Sequence, residues 1–429
     1  MNRFIEEIKD KRVLVFGLGR QGGGTGDALW LEKHGAIVRL SDKDTMLVQE
    51  GQTKEQVDWA DILIKNPGVP DGHELIVYAM SLGKTVLTSI AVFVKYCGIK
   101  TIGVTGTRGK STTVALITAI LETAYPGKII SGGNIAGTSC LSLFDQLENK
   151  KYAVLELSSF QLHNFHDLQV SPGIAVITNL YPDHLNRYPD MLAYQHDKEA
   201  IVAYQHSTDV TVFNRDNPGS LAISGGSSGQ KIAYSASDVT TFTTPLPGLH
   251  NRENIAAAAA LAQVLQLDST LVKQVIADFK GVPSRQETIA VVGGVTYIND
   301  TTSTTPVAAI KALQAAAAPT VWITGGDTKN LPYEELIAEV KINPNLKKII
   351  ILGSQNIPDY IAKIQEVAGD KIIGTATSMQ EAVKLASQSA TTGDSVLLSP
   401  GFASFDLFKN EFDRGDQFNN IVRKLASSI

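Results

Sequence analysis

A glycine-rich stretch that ends in a lysine and two hydroxyl residues carries the strongest chemical signal in the 429-residue sequence. It runs from Gly103 to Thr112 as GVTGTRGKST, between a β-branched segment and a helical pattern that begins near Lys110. The backbone amides of such a loop cradle phosphates, the Lys110 ammonium neutralises phosphate oxygens, and the Ser111 hydroxyl can bind Mg²⁺. Val104 departs from the usual GxxxxGK[ST] spacing. The stretch still predicts an ATP or GTP site, the alternative being a flexible turn with an exposed lysine.

Further polar residues follow predicted strands of the same region. Glu156 lies near the end of YAVLELSS, and Asp183 and His184 follow IAVITN. The carboxyl ends of parallel strands face the ligand crevice of an α/β sheet. A carboxylate and an imidazole beside a phosphate loop suit a Mg²⁺ ion that bridges nucleotide oxygens. Each residue alone would more simply be a capping carboxylate or a surface histidine, but their joint placement favours function.

A second glycine motif, Gly17-Leu-Gly19-Arg-Gln21-Gly22, directly follows the first predicted strand. Glycines at these positions let the backbone approach a diphosphate at the start of a helix. Asp42 ends the second strand, where a dinucleotide-binding fold places the acid that binds the ribose. The loop then continues as Gly-Gly-Thr-Gly, which is unusually rich in glycine. The motif leaves three alternatives: a nicotinamide dinucleotide, another nucleotide diphosphate or a purely structural turn.

Short β-branched segments alternate with helical stretches along almost the whole chain. Three series of segments predict three α/β domains, with parallel sheets covered by helices on both faces. The Gly-, Ser- and Thr-rich segment 222–247 interrupts the pattern and predicts a small antiparallel patch or a mobile excursion, whereas the alanine-rich stretch 255–266 predicts a buried helix. The predicted strands are RVLVF (12–16), AIVRLSD (36–42), DILIKN (61–66), TVLT (85–88), TIGVTGT (101–107), KIISGG (128–133), YAVLELSS (152–159), IAVITN (174–179), VTVF (210–213), TVWITGG (320–326), KKIIILG (347–353), KIIGTA (371–376) and SVLLSP (395–400).

Composition and charge exclude several classes of protein. The formal net charge of -5 argues against a protein that mainly coats nucleic acid, which needs a basic face. The two cysteines, Cys97 and Cys140, exclude a disulfide scaffold and suit a reducing compartment. The charged N-terminus lacks the apolar core of a signal peptide, and no apolar run approaches the length of a membrane span. We therefore expect a cytoplasmic protein with no nucleic-acid partner and no membrane insertion.

These motifs belong to a longer ordered series. The sequence resembles the Mur ligases along essentially its whole length, most strongly from residue 100 onward. The segments that carry the resemblance are GVTGTRGKSTT (103–113), SGGNIAG (131–137), LELSSFQL (155–162), ITNLYPDHLNRY (177–188), GLHNRENIAAAAALA (248–262), GVPSRQE (281–287), YINDTTSTTP (297–306), ITGGDTK (323–329) and LLSPGFASFDLFKNEFDRGDQF (397–418).

The resemblance implies an α/β fold of three domains. Residues 1–92 would form a Rossmann-like UDP-binding domain. Residues 93–281 would form a central ATP-binding domain around a P-loop-type mononucleotide-binding sheet. Residues 282–429 would form a C-terminal Rossmann-like domain that helps to bind an amino acid.

The resemblance also implies site residues. The implied catalytic residues are Lys110, His184 and Lys198, the last carbamylated because an ammonium cannot ligate a metal whereas an anionic carbamate can. Two Mg²⁺ ions are implied, with protein ligands Ser111, Glu156, His184 and carbamylated Lys198. The implied ATP-binding residues are Thr107, Arg108, Gly109, Lys110, Ser111, Thr112, Thr113, Asn251, Asn254, Arg285 and Asp300. The implied substrate-binding residues are Gly17, Gly19, Gln21, Gly22, Asp42 and Asn134 for a UDP-sugar, and Thr304, Lys329 and Ser404 for an amino acid.

Within the family, the sequence is most similar to members that add D-glutamate to UDP-N-acetylmuramoyl-L-alanine. In the implied reaction, the alanine carboxylate attacks the γ-phosphate of ATP, and the amine of D-glutamate then attacks the acyl phosphate. The resemblance also makes a monomer the expected state. The alternatives are the same chemistry with L-glutamate or another amino acid, a nucleotide-sugar oxidoreductase, and a non-catalytic nucleotide-binding regulator.

Four positions depart from the family pattern. Thr302 stands where a lysine is common, and Thr305 where asparagine is common. The first glycine loop is a couple of residues longer than usual. Glu411 occupies the place of a phenylalanine expected beside the amino acid, although Phe408 and Phe412 lie close in sequence. Because an acidic side chain would repel a dicarboxylate, we expect Glu411 to point away from the substrate.

Overall fold

The chain folds into two compact units, Met1–Phe279 and Lys280–Ile429. The computed structural model describes residues 3–18, 23–45, 47–134, 139–185, 187–246, 248–326, 332–353, 357–404 and 407–427. Within these ranges the first unit contains two β-sheets and the second unit one, each flanked by helices. The predicted α/β class with three sheets is confirmed, whereas the predicted domain bounds stay a prediction.

A four-stranded parallel sheet forms the N-terminal part of the first unit, in the order β2-β1-β3-β4. Side chains alternate across a strand, so Val13 and Val15 of β1 enter one buried cluster and Leu14 and Phe16 another. Both faces of the sheet are therefore covered. The elements are α1 (Arg3–Ile8), β1 (Arg12–Phe16), α2 (Gly23–Lys33), β2 (Ile37–Ser41), α3 (Lys54–Trp59), β3 (Ile62–Lys65), α4 (Glu74–Ser81), β4 (Thr85–Leu87) and α5 (Ser89–Tyr96).

A six-stranded sheet follows in the same unit, in the order β10-β9-β8-β5-β7-β6, with every pair parallel. Because β5 lies between β8 and β7, the segments that follow these three strands meet at one edge. The elements are β5 (Lys100–Thr105), α6 (Lys110–Ala124), β6 (Ile129–Gly133), a 3₁₀ turn (Leu141–Gln146), β7 (Tyr152–Glu156), α7 (Ser159–His163), α8 (Phe165–Leu168), β8 (Ile174–Ile177), α9 (Met191–Ala203), β9 (Val210–Asn214), α10 (Pro218–Ser224), β10 (Gln230–Tyr234), a 3₁₀ turn (Ala236–Val239), α11 (Leu249–Val264) and α12 (Ser269–Asp278).

The segment 222–247 corrects the sequence prediction. It contains β10, which pairs in parallel with β9 rather than forming an antiparallel patch. Tyr234 at the end of β10 is 2% exposed, and its hydroxyl donates to the carbonyl oxygen of Ile177 over 3.2 Å. This buried anchor joins β10 to the sheet, so the Gly- and Ser-rich composition reflects tight turns beside a strand rather than a mobile excursion.

The predicted alanine-rich helix is α11. Its residues Ala256, Ala257 and Ala258 are buried, because small side chains let the helix pack closely against its neighbours. Neither α11 nor any other helix in the described part of the chain is both long and apolar enough to cross a membrane.

The second unit contains a six-stranded sheet in the order β11-β12-β16-β13-β14-β15. The edge pair β11 and β12 is antiparallel and the other pairs are parallel. This hairpin, which was not predicted, turns at Gly293-Gly294, and both glycines have the positive φ that a two-residue hairpin turn requires. The elements are β11 (Glu287–Val292), β12 (Val295–Asn299), α13 (Pro306–Ala315), β13 (Thr320–Gly325), α14 (Glu334–Ile342), β14 (Leu346–Leu352), α15 (Pro358–Ala368), a 3₁₀ turn (Gly369–Lys371), β15 (Ile372–Ala376), α16 (Met379–Ser389), β16 (Ser395–Gly401) and α17 (Glu411–Ser427).

Both cysteines are buried in the first unit. Burial raises the pKa of the Cys97 thiol, and it raises the pKa of the Cys140 thiol to about 12. Neither thiol forms a disulfide, and both act as small apolar side chains.

Candidate functional site

The glycine-rich loop connects β5 to α6 at the carboxyl edge of the second sheet. The Thr107 N–H donates to the carbonyl oxygen of Asn179 over 3.0 Å, and the Arg108 N–H donates to the side-chain oxygen of Asn179 over 2.9 Å. The Lys110 ammonium folds back and donates to the carbonyl oxygens of Gly106 (3.0 Å) and Thr107 (3.3 Å). The segment after β8 therefore fixes the loop that the sequence predicts.

Two glycines are required by the shape of this loop. Gly106 has φ of +150° and Gly109 has φ of +83°, which L side chains rarely adopt. A Cβ atom on Gly109 would lie 2.2 Å from Oδ1 of Asn254, and one on Gly106 would lie 1.9 Å from Oγ1 of Thr178. At both positions, the loop lies so close to its neighbours that any residue other than glycine would collide with them.

The start of α11 packs against the start of α6. The Thr113 hydroxyl donates to Oδ1 of Asn254 over 3.3 Å, and Nδ2 of Asn254 lies 3.4 Å from Oδ1 of Asn251. Ser111 and Thr112 are half-buried in the same first turn of α6. The structure therefore gathers five of the predicted ATP-binding residues around one helix N-terminus, where the backbone amides favour an anion.

Lys198 on α9 is 1% exposed, although a lone helix lysine would by itself be expected to face solvent. Its Nζ lies 3.1 Å from the carbonyl oxygen of Gly106 and 3.4 Å from Oγ1 of Thr105, which are both neutral acceptors. Burial and then the charge of Lys110 lower the pKa of Lys198 well below its usual range. The amine therefore deprotonates easily.

Glu156, at the end of β7, is 5% exposed and contacts a residue predicted for a different subsite. Its Oε1 accepts a hydrogen bond from Nδ2 of Asn134 over 3.2 Å, and its carbonyl oxygen accepts from the Asn134 N–H over 2.8 Å. Gly133 makes this possible, because a Cβ there would lie 2.1 Å from the Glu156 carbonyl oxygen. The predicted UDP-sugar and metal residues are therefore direct neighbours.

His184 has φ of +56°, a left-handed conformation that costs a non-glycine residue roughly 1–2 kcal/mol. Its ring lies edge-on to the ring of Phe160 at 4.9 Å and to that of Tyr194 at 6.1 Å. Burial lowers the pKa of His184 and so favours the neutral imidazole, the form that ligates metals. Asp183 pairs with Arg108 at 3.0 Å.

The donor set for a metal contains few carboxylates. Among the described residues, no group of three or more His, Cys, Asp or Glu side chains is placed to hold a metal ion. A site built on Glu156 and His184 thus requires further ligands of another kind. The Ser111 hydroxyl and a carbamate on Lys198 would supply oxygen atoms, which suits Mg²⁺.

A cavity of about 260 Å³ lies between the first and second sheets of this unit. Gly17, with φ of +83°, brings the first glycine loop against Val69, whose Cγ2 would lie 2.8 Å from an added Cβ. Both carboxylate oxygens of Asp42 accept backbone N–H groups, from Leu18 at 2.7 Å and from Asp44 at 2.9 Å. Asp42 therefore holds the glycine loop. Residues from both sheets line the cavity, among them Gly17, Lys65, Asn66, Asn134, Ser158 and Phe160.

A chain of charged side chains, which sequence reasoning missed, runs beside this cavity. Nζ of Lys65 lies 2.8 Å from Oδ1 of Asp71, and Oδ2 of Asp71 contacts Nε2 of His163. Nδ1 of His163 lies 2.7 Å from Oδ1 of Asp197, whose Oδ2 accepts from the Tyr188 hydroxyl over 2.8 Å. We call Lys65, Asp71, His163 and Asp197 the ionic chain. Lys65 and Asp71 belong to one loop, but His163 and Asp197 lie far from it in sequence and the four residues form no motif.

These contacts set the protonation states of the side chains in the ionic chain. The hydrogen bonds to Asp197 and then to Asp71 raise the pKa of His163 to about 10, against the opposing effect of burial. Burial would raise the pKa of Asp71, but the close contact with His163 and the ion pair with Lys65 outweigh it and hold that pKa well below its usual range. At neutral pH, a cationic imidazole therefore lies between two carboxylates.

In the second unit, Asp300 follows β12 and is 5% exposed. It accepts hydrogen bonds from Ser303 (2.5 Å), Ser399 (2.8 Å) and the Gln286 N–H (3.1 Å). Burial raises its pKa to about 6, although these bonds oppose the shift. Arg285 lies between Ser284 and Gln286, which both have positive φ. The bond from the Gln286 N–H joins this turn to Asp300.

Two of the departing residues have structural roles. The Thr302 hydroxyl donates to the carbonyl oxygen of Ser284 over 2.9 Å and so closes the loop beside Arg285. The lysine that is common at this position in the family would add a positive charge instead. Thr305 caps α13, and its side chain accepts from the Ala308 N–H. Both replacements therefore stabilise local backbone.

A buried arginine organises the predicted amino-acid region. Arg414 is 1% exposed and donates to the side chain and carbonyl oxygen of Thr301 (3.0 and 2.9 Å) and to the carbonyl oxygen of Phe402 (3.2 Å). Burial lowers its pKa to about 10, and the charge of Glu411 partly offsets this effect. Near Phe402, the Ser404 hydroxyl is buried with no hydrogen-bond partner among the described residues. Such a group is available to a ligand.

Five predicted residues remain. Thr304 is half-buried, and its N–H donates to the carbonyl oxygen of Thr302 over 2.9 Å. Gly19, Gln21, Gly22 and Lys329 lie outside the described residues.

Comparison with known proteins gives a family for most of the chain. The model of the Mur ligase middle domain matches residues 104–262, and that of the Mur ligase glutamate ligase domain matches residues 284–402. A UDP-N-acetylmuramoylalanine–D-glutamate ligase of Roseiflexus sp. (strain RS-1) is 32% identical over 98% of this chain and 100% of the relative. A protein of the same name from Christiangramia forsetii is 34% identical over 97% and 100%, respectively.

Solved structures support the fold. UDP-N-acetylmuramate-alanine ligase MurC of Thermotoga maritima has a TM-score of 0.62 at 18% identity and covers 98% of this chain and 100% of that one. The MurF ligase of the same organism, in complex with ADP, has a TM-score of 0.59 at 15% identity over 99% and 97%. At these identities the likeness concerns the fold alone.

Proposed function

This chain belongs to the Mur ligase family, and from that premise we propose how its own residues carry out the chemistry. It is an ATP-dependent ligase that adds D-glutamate to UDP-N-acetylmuramoyl-L-alanine in peptidoglycan precursor synthesis. The observation that carries this function is the full-length match to relatives of that name. We further propose that it works in the cytoplasm as a monomer.

The phosphate loop and the first turn of α6 bind ATP. The backbone amides at the α6 N-terminus bind the phosphate oxygens. Lys110 leaves the carbonyl oxygens of Gly106 and Thr107 and pairs with the transferring phosphoryl group, whose developing charge is the main catalytic problem. We assign the phosphates, adenine and ribose of ATP to Thr107, Arg108, Gly109, Lys110, Ser111, Thr112, Thr113, Asn251, Asn254, Arg285 and Asp300.

Mg²⁺ fits the region at the ends of β7 and β8. Ser111, Glu156, His184 and a carbamate on Lys198 would hold it as two ions, because buried Lys198 has only neutral acceptors and deprotonates easily. Mg²⁺ bound there supplies positive charge to the phosphate oxygens. His184 then acts as a metal ligand, since burial keeps its imidazole neutral.

The cavity binds the UDP-sugar precursor. We assign the diphosphate to Gly17, Gly19, Gln21, Gly22 and Asp42, and Asn134 lies at the other wall of the cavity from Gly17. Because Asn134 donates to Glu156, the precursor's terminal carboxylate would approach the metal region when the sugar contacts Asn134. We assign D-glutamate to Thr304, Lys329 and Ser404, of which Ser404 offers an unused hydroxyl.

Phosphate release from ATP tests this assignment. The assay contains Mg²⁺ and UDP-N-acetylmuramoyl-L-alanine, with D-glutamate, L-glutamate or no amino acid. We expect release that requires both the precursor and D-glutamate, and a Lys110→Ala variant that is inactive. Lys128→Ala, at an exposed lysine of the same unit, is the matched control and should keep wild-type activity. Preference for L-glutamate would contradict the amino-acid assignment, and normal turnover by Lys110→Ala would contradict the ATP site.

A further inference from the structure

The ionic chain begins at the wall of the precursor cavity. Lys65 lines the cavity but is only 2% exposed, so its ammonium must be neutralised within the protein. Its Nζ lies 2.8 Å from the carbonyl oxygen of Val69 and 2.8 Å from Oδ1 of Asp71. Asn66 and Gly68, between these residues, also line the cavity. This end of the chain therefore fixes the shape of the cavity-lining loop 65–71.

The other end of the ionic chain, Asp197, lies on α9, the helix that carries Lys198. Asp197 is 4% exposed, and its two carboxylate oxygens accept from His163 and from the Tyr188 hydroxyl. Consecutive residues of an α-helix point about 100° apart. Holding Asp197 toward α7 therefore sets the rotation of α9, which directs Lys198 to the carbonyl oxygen of Gly106, 3.1 Å away.

His163 joins the two ends and is the last residue of α7. The capping residue of this helix, Ser158, and two of its own residues, Phe160 and Gln161, line the cavity. Each ring nitrogen of His163 faces a carboxylate oxygen, and carboxylates only accept hydrogen bonds. The two contacts therefore need N–H donors on two separate atoms of one rigid ring, whereas a glutamine amide carries both of its N–H donors on one nitrogen.

We propose that His163 is a positioning residue that couples occupation of the precursor cavity to the placement of Lys198 at the phosphate loop. A precursor that orders loop 65–71 and α7 strengthens the Asp71–His163–Asp197 contacts, which hold α9 in its ATP-binding arrangement. His163 touches neither substrate. The inference rests on the functions assigned above to the cavity and to Lys198.

Coupling is measured as a ratio of two affinities. Isothermal titration calorimetry gives the Kd of UDP-N-acetylmuramoyl-L-alanine with and without saturating Mg²⁺ and a non-hydrolysable ATP analogue. For the wild type we expect the analogue to tighten precursor binding at least about 5-fold, the lower range of typical coupling between sites. In His163→Gln we expect the ratio to fall below about 2, because the amide has donors on only one nitrogen and cannot replace both ring nitrogens at their separate positions.

His166→Gln is the matched control. His166, on α8, also packs against α9 and lies 2.8 Å from the Tyr204 hydroxyl and 3.1 Å from the carbonyl oxygen of His196, but it does not reach Asp71. A variant that merely loosens the helices should behave like this control, which we expect to keep the wild-type ratio. Asp71→Asn removes the carboxylate at the cavity end of the ionic chain. It replaces His163→Gln in this test if that variant does not fold.

A wild-type ratio near one overturns the proposal, and so does a ratio that His163→Gln and Asp71→Asn leave unchanged. Equal loss in His166→Gln also overturns it, since helix packing would then explain the effect. The effects of Asp71→Asn and Asp197→Asn on the affinity ratio should not be additive, because both substitutions break the same ionic chain. A wild type that binds neither ligand would instead refute the proposed function, so the two failures are distinguishable.

Discussion

The ammonium groups of Lys110 and Lys198 converge on one acceptor, the carbonyl oxygen of Gly106, at 3.0 and 3.1 Å. Two like charges beside a single neutral oxygen repel each other, and Lys198 is the more deeply buried of the two. Burial and the charge of Lys110 lower the pKa of Lys198, which is the lysine assigned to carbamylation in the proposed function.

Replacing Lys198 by arginine tests that relationship. Arg keeps the positive charge and much of the volume but cannot form the carbamate, so we expect turnover to fall by at least about 100-fold. Nuclear magnetic resonance with ¹³C-bicarbonate should show a carbamate signal in the wild type and none in Lys198→Arg. Full activity in Lys198→Arg, from protein with a wild-type melting temperature, would contradict the assigned role.

Gly109→Ala should reduce both the stability of the protein and its affinity for ATP. The substitution forces a residue with a Cβ into φ of +83° and places that Cβ against Asn254. We expect a loss of about 1–2 kcal/mol in the free energy of unfolding, together with at least about 10-fold weaker binding of an ATP analogue. The measurements are urea denaturation and calorimetric titration.

Gly127→Ala provides the comparison, because Gly127 has φ of +69° and open space around its Cβ position. It should lose similar stability while keeping normal nucleotide affinity. Equal weakening of nucleotide binding in both variants would show that strain alone is responsible.

The contribution of His163 to stability should depend on pH. Its folded pKa, raised to about 10 by Asp197 and Asp71, lies above the unfolded value near 6.5, so the native state binds this proton more tightly. The stabilisation is fully present below the unfolded pKa and is lost as pH rises through the folded pKa. The charged or titratable groups around the ring are Asp71 and Asp197, with Lys65 and Tyr188 bound to them.

The measurement is the difference in melting temperature between the wild type and His163→Gln from pH 6 to pH 10.5. We expect a difference that is largest near pH 6 and shrinks toward pH 10. A difference that grows with pH would contradict the assigned protonation state.

Arg414→Lys should destabilise the second unit. Lysine cannot make the three hydrogen bonds by which the guanidinium joins Thr301 to Phe402, so buried acceptors lose their donors. We expect about 1–3 kcal/mol less stability in chemical denaturation and a raised KM for D-glutamate. Arg423→Lys, an exposed position on the same helix α17, should change neither quantity. Unchanged stability in Arg414→Lys would refute the organising role.

The sequence predicted the regular parts of the fold because burial imposes a simple pattern there. β1, for example, has four consecutive buried residues, and a β-branched run flanked by helical stretches announces such a strand. The β11–β12 hairpin was not predicted because β11 is only partly buried and its burial does not alternate regularly. β10 escaped because Gly and Ser around it suggested irregular backbone.

The candidate site likewise contains one part that the sequence predicts and another part that it does not. The phosphate loop is local in sequence, so its residue types alone predicted its position and chemistry. The burial of Lys198 and the pairing of His163 with two carboxylates depend on residues more than 30 positions apart, and no single-sequence pattern encodes such contacts. The contact of Asn134 with Glu156 arises from the pairing of β6 with β7, which periodicity does not specify.

The two buried cysteines leave the surface of this protein without a reactive native thiol. Maleimide dyes would therefore attach only to cysteines introduced by design, and no native cysteine would need to be removed first. One introduced cysteine at exposed Lys128 and another at exposed Arg423 would place a fluorescent donor and acceptor on the two units. Energy transfer between the dyes would then follow the distance between the units in single molecules during turnover.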